Sequence, residues 1–379
     1  MSGKSTGIKS EEISNFGKSE KMVVEQENSL PTINEENIKM KELKERLKDV
    51  AKFSRYLDKC KVNKESFELL NYLDSGVESN VFSINIIYKN KKGQKLKKKA
   101  VMKCIFYKKK ENQKEIKISS KLKNPNVINF YAYSPIKYGQ SYFFAMEDAK
   151  YGNLRNFQRN ILKRNILSES WLCFLSRQIL DALNYCHKCK IAHMDLKLQN
   201  VVIDDYLNAK LIDFSISINY QNKKPNEELK LPFKGTNFYM AKEVLQSDKI
   251  KYKDLQKVDL YALGVMLYNL AFGKYPYGLT HGDENNYDEI LQKIKRNELD
   301  LNNDMNYSKH FLDFLKSLLE KEIGNRIGLN QALENYWIKG ADSLNEEKEK
   351  CYKVDVFVSY LLTDHIKSFN DYLNRSKDA

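Results

Sequence analysis

Apolar and polar positions divide the 379-residue chain into stretches of different texture. Residues 1–37 are rich in Ser, Asn, Glu and Lys and carry few large apolar side chains. Such a segment cannot bury enough surface to offset the entropy of ordering, so the pattern predicts a disordered tail. In residues 38–64, Met40, Leu43, Leu47 and Val50 recur at spacings of three and four, followed by Ser54 and Leu57. That spacing places one apolar stripe on a helix. Barely two clean heptads are present, too few for a sustained coiled coil, so a helix docked on the following domain is favoured over a dimerisation zipper.

Residues 65–148 change to short β-type runs at 67–73, 81–88, 100–106 and 142–146, broken by one helical segment at 112–122. This predicts a small, mostly antiparallel sheet with a single helix. From 149 to 340 helical periods dominate, at 171–187, 258–272 and 310–319, with short strands at 201–203 and 211–212. The expected fold class is therefore α+β, with a β-rich lobe ahead of a larger helical lobe. Residues 341–379 open with a charged run and close with an amphipathic stretch at 354–373, and the partners of both tails are not legible. No internal repeat is present.

Composition changes this picture little. The chain is 42% hydrophobic, enough to fill a core, and its formal charge of +14 raises the question of a nucleic-acid partner. Lys, Asn, Ile and Tyr are abundant along the whole length, and no aromatic-rich platform or recognition-helix signature accompanies the charge. The lysines read as solvated surface, and no nucleic-acid partner is expected. Six cysteines, scattered except for Cys186 and Cys189, make no disulfide framework and fit a reducing compartment. The most apolar stretch, 260–272, is too short to span a bilayer, residues 1–30 lack the apolar core of a secretory signal, and Met1-Ser2-Gly3 misses the myristoylation pattern. The expectation is an intracellular protein, cytoplasmic or nuclear, without a membrane span.

The candidate chemistry is concentrated in His193-Met194-Asp195-Leu196-Lys197-Leu198-Gln199-Asn200, followed by Asp213-Phe214-Ser215. These residues resemble the catalytic loop and metal-binding triplet of the eukaryotic protein kinases. The resemblance implies a bilobal kinase fold and phosphoryl transfer from ATP, with Mg2+, to a protein hydroxyl. It implies that Asp195 orients the hydroxyl and accepts its proton, that Lys197 holds the γ-phosphate, and that Asn200 and Asp213 hold the metal through hard oxygen ligands.

Further motifs extend the resemblance over roughly residues 67–337. Ala100-Val101-Met102-Lys103 stands where the family has V-A-I-K, and Glu115 falls in a segment similar to the helix that supplies the lysine's partner. The resemblance implies that Lys103 paired with Glu115 grips the α- and β-phosphates. Residues 73–81, from Leu73 through Gly76 to Val81, occupy the place of the glycine-rich loop, with Asp74 and Ser79 at the other two glycine positions. Met146 falls at the gatekeeper position, the backbone from Glu147 to Ala149 is the expected adenine hinge, and Val81, Val101 and Val202 are expected to sandwich the ring. Gly235-Thr236, Ala241-Lys242-Glu243, Asp259 with Gly264, and Arg326 as partner of Glu243 complete the set. Lys197 and Gly235-Thr236 match the serine/threonine branch.

The chain also departs from the pattern. Ser215 replaces the glycine of D-F-G, Met194 the arginine of H-R-D, and Ser119 stands where that helix usually gives an apolar side chain to the internal spine. The H-R-D arginine commonly clamps an activation-segment phosphate. Between Ser217 and Thr236 the chain has no Ser or Thr, and Tyr220 is the only hydroxyl. The expectation is activity that does not depend on activation-segment phosphorylation. Asn153 and Gln199 hold positions where basophilic kinases place glutamates, while Lys223, Lys224, Lys230 and Lys234 favour acidic protein substrates. Two other readings stay open: a pseudokinase acting as an ATP-binding scaffold or allosteric partner, and a zinc site at Cys186-His187-Lys188-Cys189 with His193.

Overall fold

In a computed structural model the described residues are 66–75, 79–106, 113–133, 141–161, 166–231, 236–247, 249–302 and 306–344. The N-terminal stretches at 1–37 and 38–64, the amphipathic stretch at 354–373, and the candidate residues Gly76, Lys234 and Gly235 lie outside them.

The chain falls into two units, residues 1–67 with 87–96, and residues 68–86 with 97–379. The described part of the first is a hairpin tip. There Asn90 is the organising residue: its side-chain oxygen accepts from the backbone N–H groups of Lys92 and Gln94, and Gly93 takes φ +78° at the turn.

The five-stranded sheet expected from the β-type runs has most of its residues in the second unit. Its strands are β1 (Ser66–Ser75), β2 (Ser79–Lys89), β3 (Lys95–Phe106), β4 (Phe130–Tyr133) and β5 (Ser141–Glu147), in the order β1-β2-β3-β5-β4. The antiparallel β3–β5 register sets Val101 against Met146 and Lys103 against Phe144. Lys103 thus lies inside a strand that begins earlier than its apolar run suggests. The lysines at 95, 97, 98 and 99 conceal the strand's start, because they are solvent-exposed on a strand that lies in the middle of the sheet. Helix α1 (Gln113–Ser119) is shorter than the stretch 112–122, since the chain turns at Ser120 and Lys121 ahead of Pro125.

A helical lobe follows, built around α2 (Glu169–Lys188) and α4 (Leu255–Phe272), with the short α3 (Lys242–Gln246) between them. Helix α2 has Glu169 in its first turn and His187 and Lys188 in its last, which suits the helix dipole. Helix α4 is buried nearly all round, so it shows no polar face; it ends at Gly273, whose φ of +67° closes the helix. A Cβ on Gly264 would meet Leu318 and Leu319 at 2.9 Å, so glycine is required where α4 packs on α6 (Lys309–Leu318). Helix α5 (Tyr287–Arg296) was not expected: only Ile290 and Ile294 are buried, too weak a stripe to stand out. Short helices α7 (Leu329–Leu333) and α8 (Tyr336–Lys339) complete the lobe.

Three two-stranded ladders accompany the helices. Strand β6 (Ile191–Ala192) pairs with β9 (Ile218–Asn219), β7 (Val201–Ile203) with β8 (Ala209–Leu211), and β10 (Glu228–Lys230) with β11 (Lys249–Lys251). Strand β8 sits two residues before the 211–212 run. The architecture is α+β, with a β-rich part ahead of a larger helical one as the sequence pattern predicts, and it agrees with the bilobal kinase fold that the resemblance implies. Among the described residues no helix is long and apolar enough to cross a membrane.

Candidate functional site

Strand β3, helix α1 and the loop after β8 bring three charged groups together. The ammonium of Lys103 lies 2.8 and 3.0 Å from the two carboxylate oxygens of Glu115 and 3.0 Å from Oδ1 of Asp213. Burial opposes the charge on Lys103, but the two carboxylates outweigh it and hold the amine well above its usual range. Burial, with Asp213 adding, pushes Glu115 up to about 7 against the pull of Lys103. Asp213 feels the same burial, but Lys103 and the hydroxyl and N–H of Ser215 hold it well below the carboxylate range. Two acids share one amine, leaving the cluster short of positive charge. Asp213 adopts φ +64°, a left-handed backbone that costs free energy in a non-glycine residue. The buried Phe214 ring beside it packs 5.0 Å from His193.

The loop between β6 and β7 carries the second group. Asp195 is met by three donors: Lys197 Nζ at 2.8 Å and Asn200 Nδ2 at 2.9 Å on Oδ2, and the Thr236 hydroxyl at 3.1 Å on Oδ1. Lys197 also donates to Thr236 at 2.8 Å. His193 donates from Nε2 to the Ile212 carbonyl and accepts the Asp195 N–H at Nδ1, which defines its tautomer. Met194 takes φ +68°, and its N–H is held by Asp259 Oδ1 at 2.8 Å while Oδ2 accepts from the His193 N–H at 2.9 Å. Asp259, fully buried on α4, therefore fixes the backbone one residue ahead of Asp195.

The donor set of Asp213 and Asn200 suits a divalent hard cation. Asp213 is ionised, and Asn200 spends its amide nitrogen on Asp195 Oδ2 and the Asp195 carbonyl, which leaves its amide oxygen as the ligand atom.

The expected adenine-lining residues occupy neighbouring strands. Val101 sits opposite Met146 on the sheet, and Val202 is buried on β7. The chain after β5 is tied to β7 by Tyr151 N–H to the Ile203 carbonyl and Ile203 N–H to the Gly152 carbonyl. Glu147 turns its carboxylate to the Asn129 side chain (2.9 Å) and backbone N–H, and to Lys210 Nζ (3.2 Å), and its own N–H donates to the Asn129 carbonyl at 2.9 Å. Val81 is partly buried on β2, Leu73 is 51% exposed on β1, and Ala149 closes a turn with the Gly152 N–H.

Two features were not legible beforehand. His187 bonds Asp259 Oδ2 through Nε2 at 2.7 Å and the Tyr220 hydroxyl through Nδ1 at 3.1 Å. This corrects the zinc alternative: His187 is engaged elsewhere, Cys186 is buried in the apolar core and Cys189 is exposed. Among the described residues no cluster of metal-ligating side chains offers a zinc site. The second feature is an apolar cavity lined by Met194, Ile216, Ile218, Leu231, Val244 and Val258, with Asp195 and Thr236 on its wall. Arg326, whose side chain is fully buried, grips Glu243 bidentately at 2.6 and 3.1 Å, stacks 4.8 Å from the Tyr261 ring and donates to the carbonyls of Lys257 and Glu320. This is the pairing the resemblance implied.

Comparison with known proteins points the same way as the geometry. Residues 67–338 match the model of the protein kinase domain. NUAK family SNF1-like kinase 1 of Homo sapiens is 35% identical over 170 residues, covering 45% of this chain and 24% of the relative. Serine/threonine-protein kinase dst2 of Dictyostelium discoideum is 29% identical over 250 residues, 65% of this chain and 20% of the relative. The probable serine/threonine-protein kinase KIN1 homolog of Encephalitozoon cuniculi is 29% identical over 245 residues, 64% and 40%. The chain spans less than half the length of each of these relatives. Because the kinase-domain model accounts for well over half of its residues, the chain belongs to the protein kinase family.

Proposed function

We propose that the chain is an ATP- and magnesium-dependent protein serine/threonine kinase whose active geometry needs no phosphate on the activation segment. The observation that carries the reading is the buried Lys103, Glu115 and Asp213 cluster, formed in the same fold as the Asp195, Lys197 and Asn200 network. Lys103, oriented by Glu115, grips the α- and β-phosphates. The hinge backbone at Glu147 and Ala149 holds adenine between Val81, Val101 and Val202, with Leu73 and Gly76 covering the nucleotide. Asp195 orients the substrate hydroxyl and accepts its proton as that oxygen bonds to the γ-phosphorus and the bond to ADP breaks. Lys197 follows the transferring group with its charge. Asn200 and Asp213 would hold magnesium, which when bound neutralises charge developing on the phosphates.

Independence from phosphate rests on how residues 214–231 and 236–244 are anchored. Met194 supplies no cation, and Met194, Ile218, Leu229, Leu231, Val244 and Val258 belong to one apolar cluster. Tyr220 is buried. The acidic-substrate preference rests on exposed Lys223, Lys224 and Lys230, and on Asn153, whose side chain is committed to capping the Asn156 N–H. A peptide array selecting Arg two or three residues before the phosphosite would reject it. The boundaries 65–148 and 149–340 are proposed as the two lobes, and an intracellular location fits the four free cysteines of the described residues.

A specific observation favours the pseudokinase alternative: Ser215 engages Asp213 through its hydroxyl and N–H, competing with a cation for that carboxylate. Transfer of labelled phosphate from ATP to the chain or a generic protein separates the two. The kinase reading expects magnesium-dependent transfer that disappears in Asp213→Ala; equal signal from both forms would point to the scaffold.

A further inference from the structure

The activation segment lacks a phosphate clamp, yet a hydrogen-bonded chain joins it to the catalytic loop. Tyr220 follows β9, and its N–H donates to the Lys190 carbonyl at 2.9 Å. Its phenol ring is 8% exposed, stacks with Tyr252 at 6.4 Å and lies under Lys190 Nζ at 5.8 Å. The hydroxyl donates to the His187 carbonyl at 3.1 Å and meets His187 Nδ1 at 3.1 Å, with the Gln256 side chain as a further partner. From the other edge of the ring, Nε2 reaches Asp259 Oδ2 at 2.7 Å, the carboxylate that holds the N–H groups of His193 and Met194.

We propose that the Tyr220 hydroxyl is a positioning residue for phosphoryl transfer, locking the activation segment to His187 and Asp259 and thereby holding the backbone that carries Asp195. This rests on the kinase reading above for its catalytic consequence, though not for its structural one. The chemistry favours such a chain. Met194 stays in a left-handed conformation only while its N–H is held, and Asp259 can hold it only if its carboxylate is itself oriented. His187 orients that carboxylate, and Tyr220 is the group on the activation segment that fixes the imidazole plane. All three side chains are nearly excluded from water, so water does not replace a lost partner without rearrangement. A phosphate clamp would fasten the segment through a cation on the catalytic loop; here a neutral phenol fastens it from beneath.

Tyr220→Phe removes the hydroxyl and keeps the stacked ring. In the full chain, kcat should fall about tenfold while KM for MgATP stays within about twofold and the melting temperature hardly moves. In a His187→Asn background the same change should cost less than about twofold, because the chain is already broken. Independently of activity, amide hydrogen exchange at His193 and Met194 should speed up about tenfold in Tyr220→Phe, with helix α6 unchanged. Unchanged exchange and kcat, or a loss fully additive with His187→Asn, would overturn the proposal. If wild type shows no transfer above Asp213→Ala, the kinase reading fails, and the exchange at His193 and Met194 decides the positioning role by itself.

Discussion

The charged cluster of Lys103, Glu115 and Asp213 and the anchorage of the segment beyond Asp213 are built from opposite materials. Lys103, Glu115 and Asp213 form a buried cluster of one ammonium and two carboxyl groups. The segment beyond Asp213 is held by Met194, Ile218, Leu231 and Val244 around an apolar cavity, and by the neutral chain from Tyr220 through His187. Charges at the first place are suited to a ligand that brings its own opposite charges. Apolar contacts at the second have nothing to wait for: burial provides the anchorage when the chain folds. The charged centre is poised for a ligand, and the apolar one is already closed.

Breaking the charged side should have the largest effect on activity. Lys103→Met is expected to lower kcat/KM for MgATP by about 10³-fold or more, and because it leaves the Glu115 and Asp213 carboxyls buried without their cation, a thermal melt should also fall below wild type. The support beneath the activation segment should respond in stability. Glu243→Ala leaves the Arg326 guanidinium buried and unpaired and should cost about 3–5 kcal/mol in denaturant unfolding. Leu231→Ala removes part of the apolar anchor and should cost about 2 kcal/mol, with faster proteolysis within residues 218–231. Met194→Arg would set a cation against the apolar cavity, and without an added phosphate it should raise activity not at all.

The smallest effect sharpens the charge count. Glu115 has a folded value of about 7 against 4.5 unfolded, so its contribution to stability is fully present below 4.5 and is lost as pH rises through about 7. Asp213 has the opposite sign: depressed in the fold, it contributes above 3.8, a contribution lost on acidification. Between pH 5 and 8 Glu115 dominates, and stability should decline gently with rising pH. Asp213→Asn removes the repelling carboxylate and should flatten that slope while abolishing transfer; an unchanged slope would mean the two acids do not share the amine.

Much of this was written locally. Alternating apolar runs marked β1, β2, β3 and β5, and β7 was expected over the very residues where it lies, because each run faces a core on a fixed period. The motif spacing named Asp195, Asn200 and Asp213, and Asp259 and Arg326 were found by position in the chain. What Asp259 does was hidden, since its partners come from residues 66 and 72 positions away. His187 could be read as a zinc candidate from its neighbouring cysteines, because nothing local shows that Tyr220 and Asp259 flank its ring. Met194 signalled the missing clamp, but the cavity that replaces it draws on segments scattered from 194 to 262. Charge chemistry was legible as short fixed patterns; apolar anchorage was not, because any suitably sized hydrophobe serves.

The central claim is that apolar contacts and the Tyr220 chain hold the active arrangement without a phosphate. The direct measurement is magnesium-dependent transfer from labelled ATP by full-length protein before and after exhaustive phosphatase treatment, with Asp213→Ala as the blank. The account predicts that treated protein keeps its activity within about twofold. Loss of activity on treatment, restored by phosphate within residues 218–235, would contradict it.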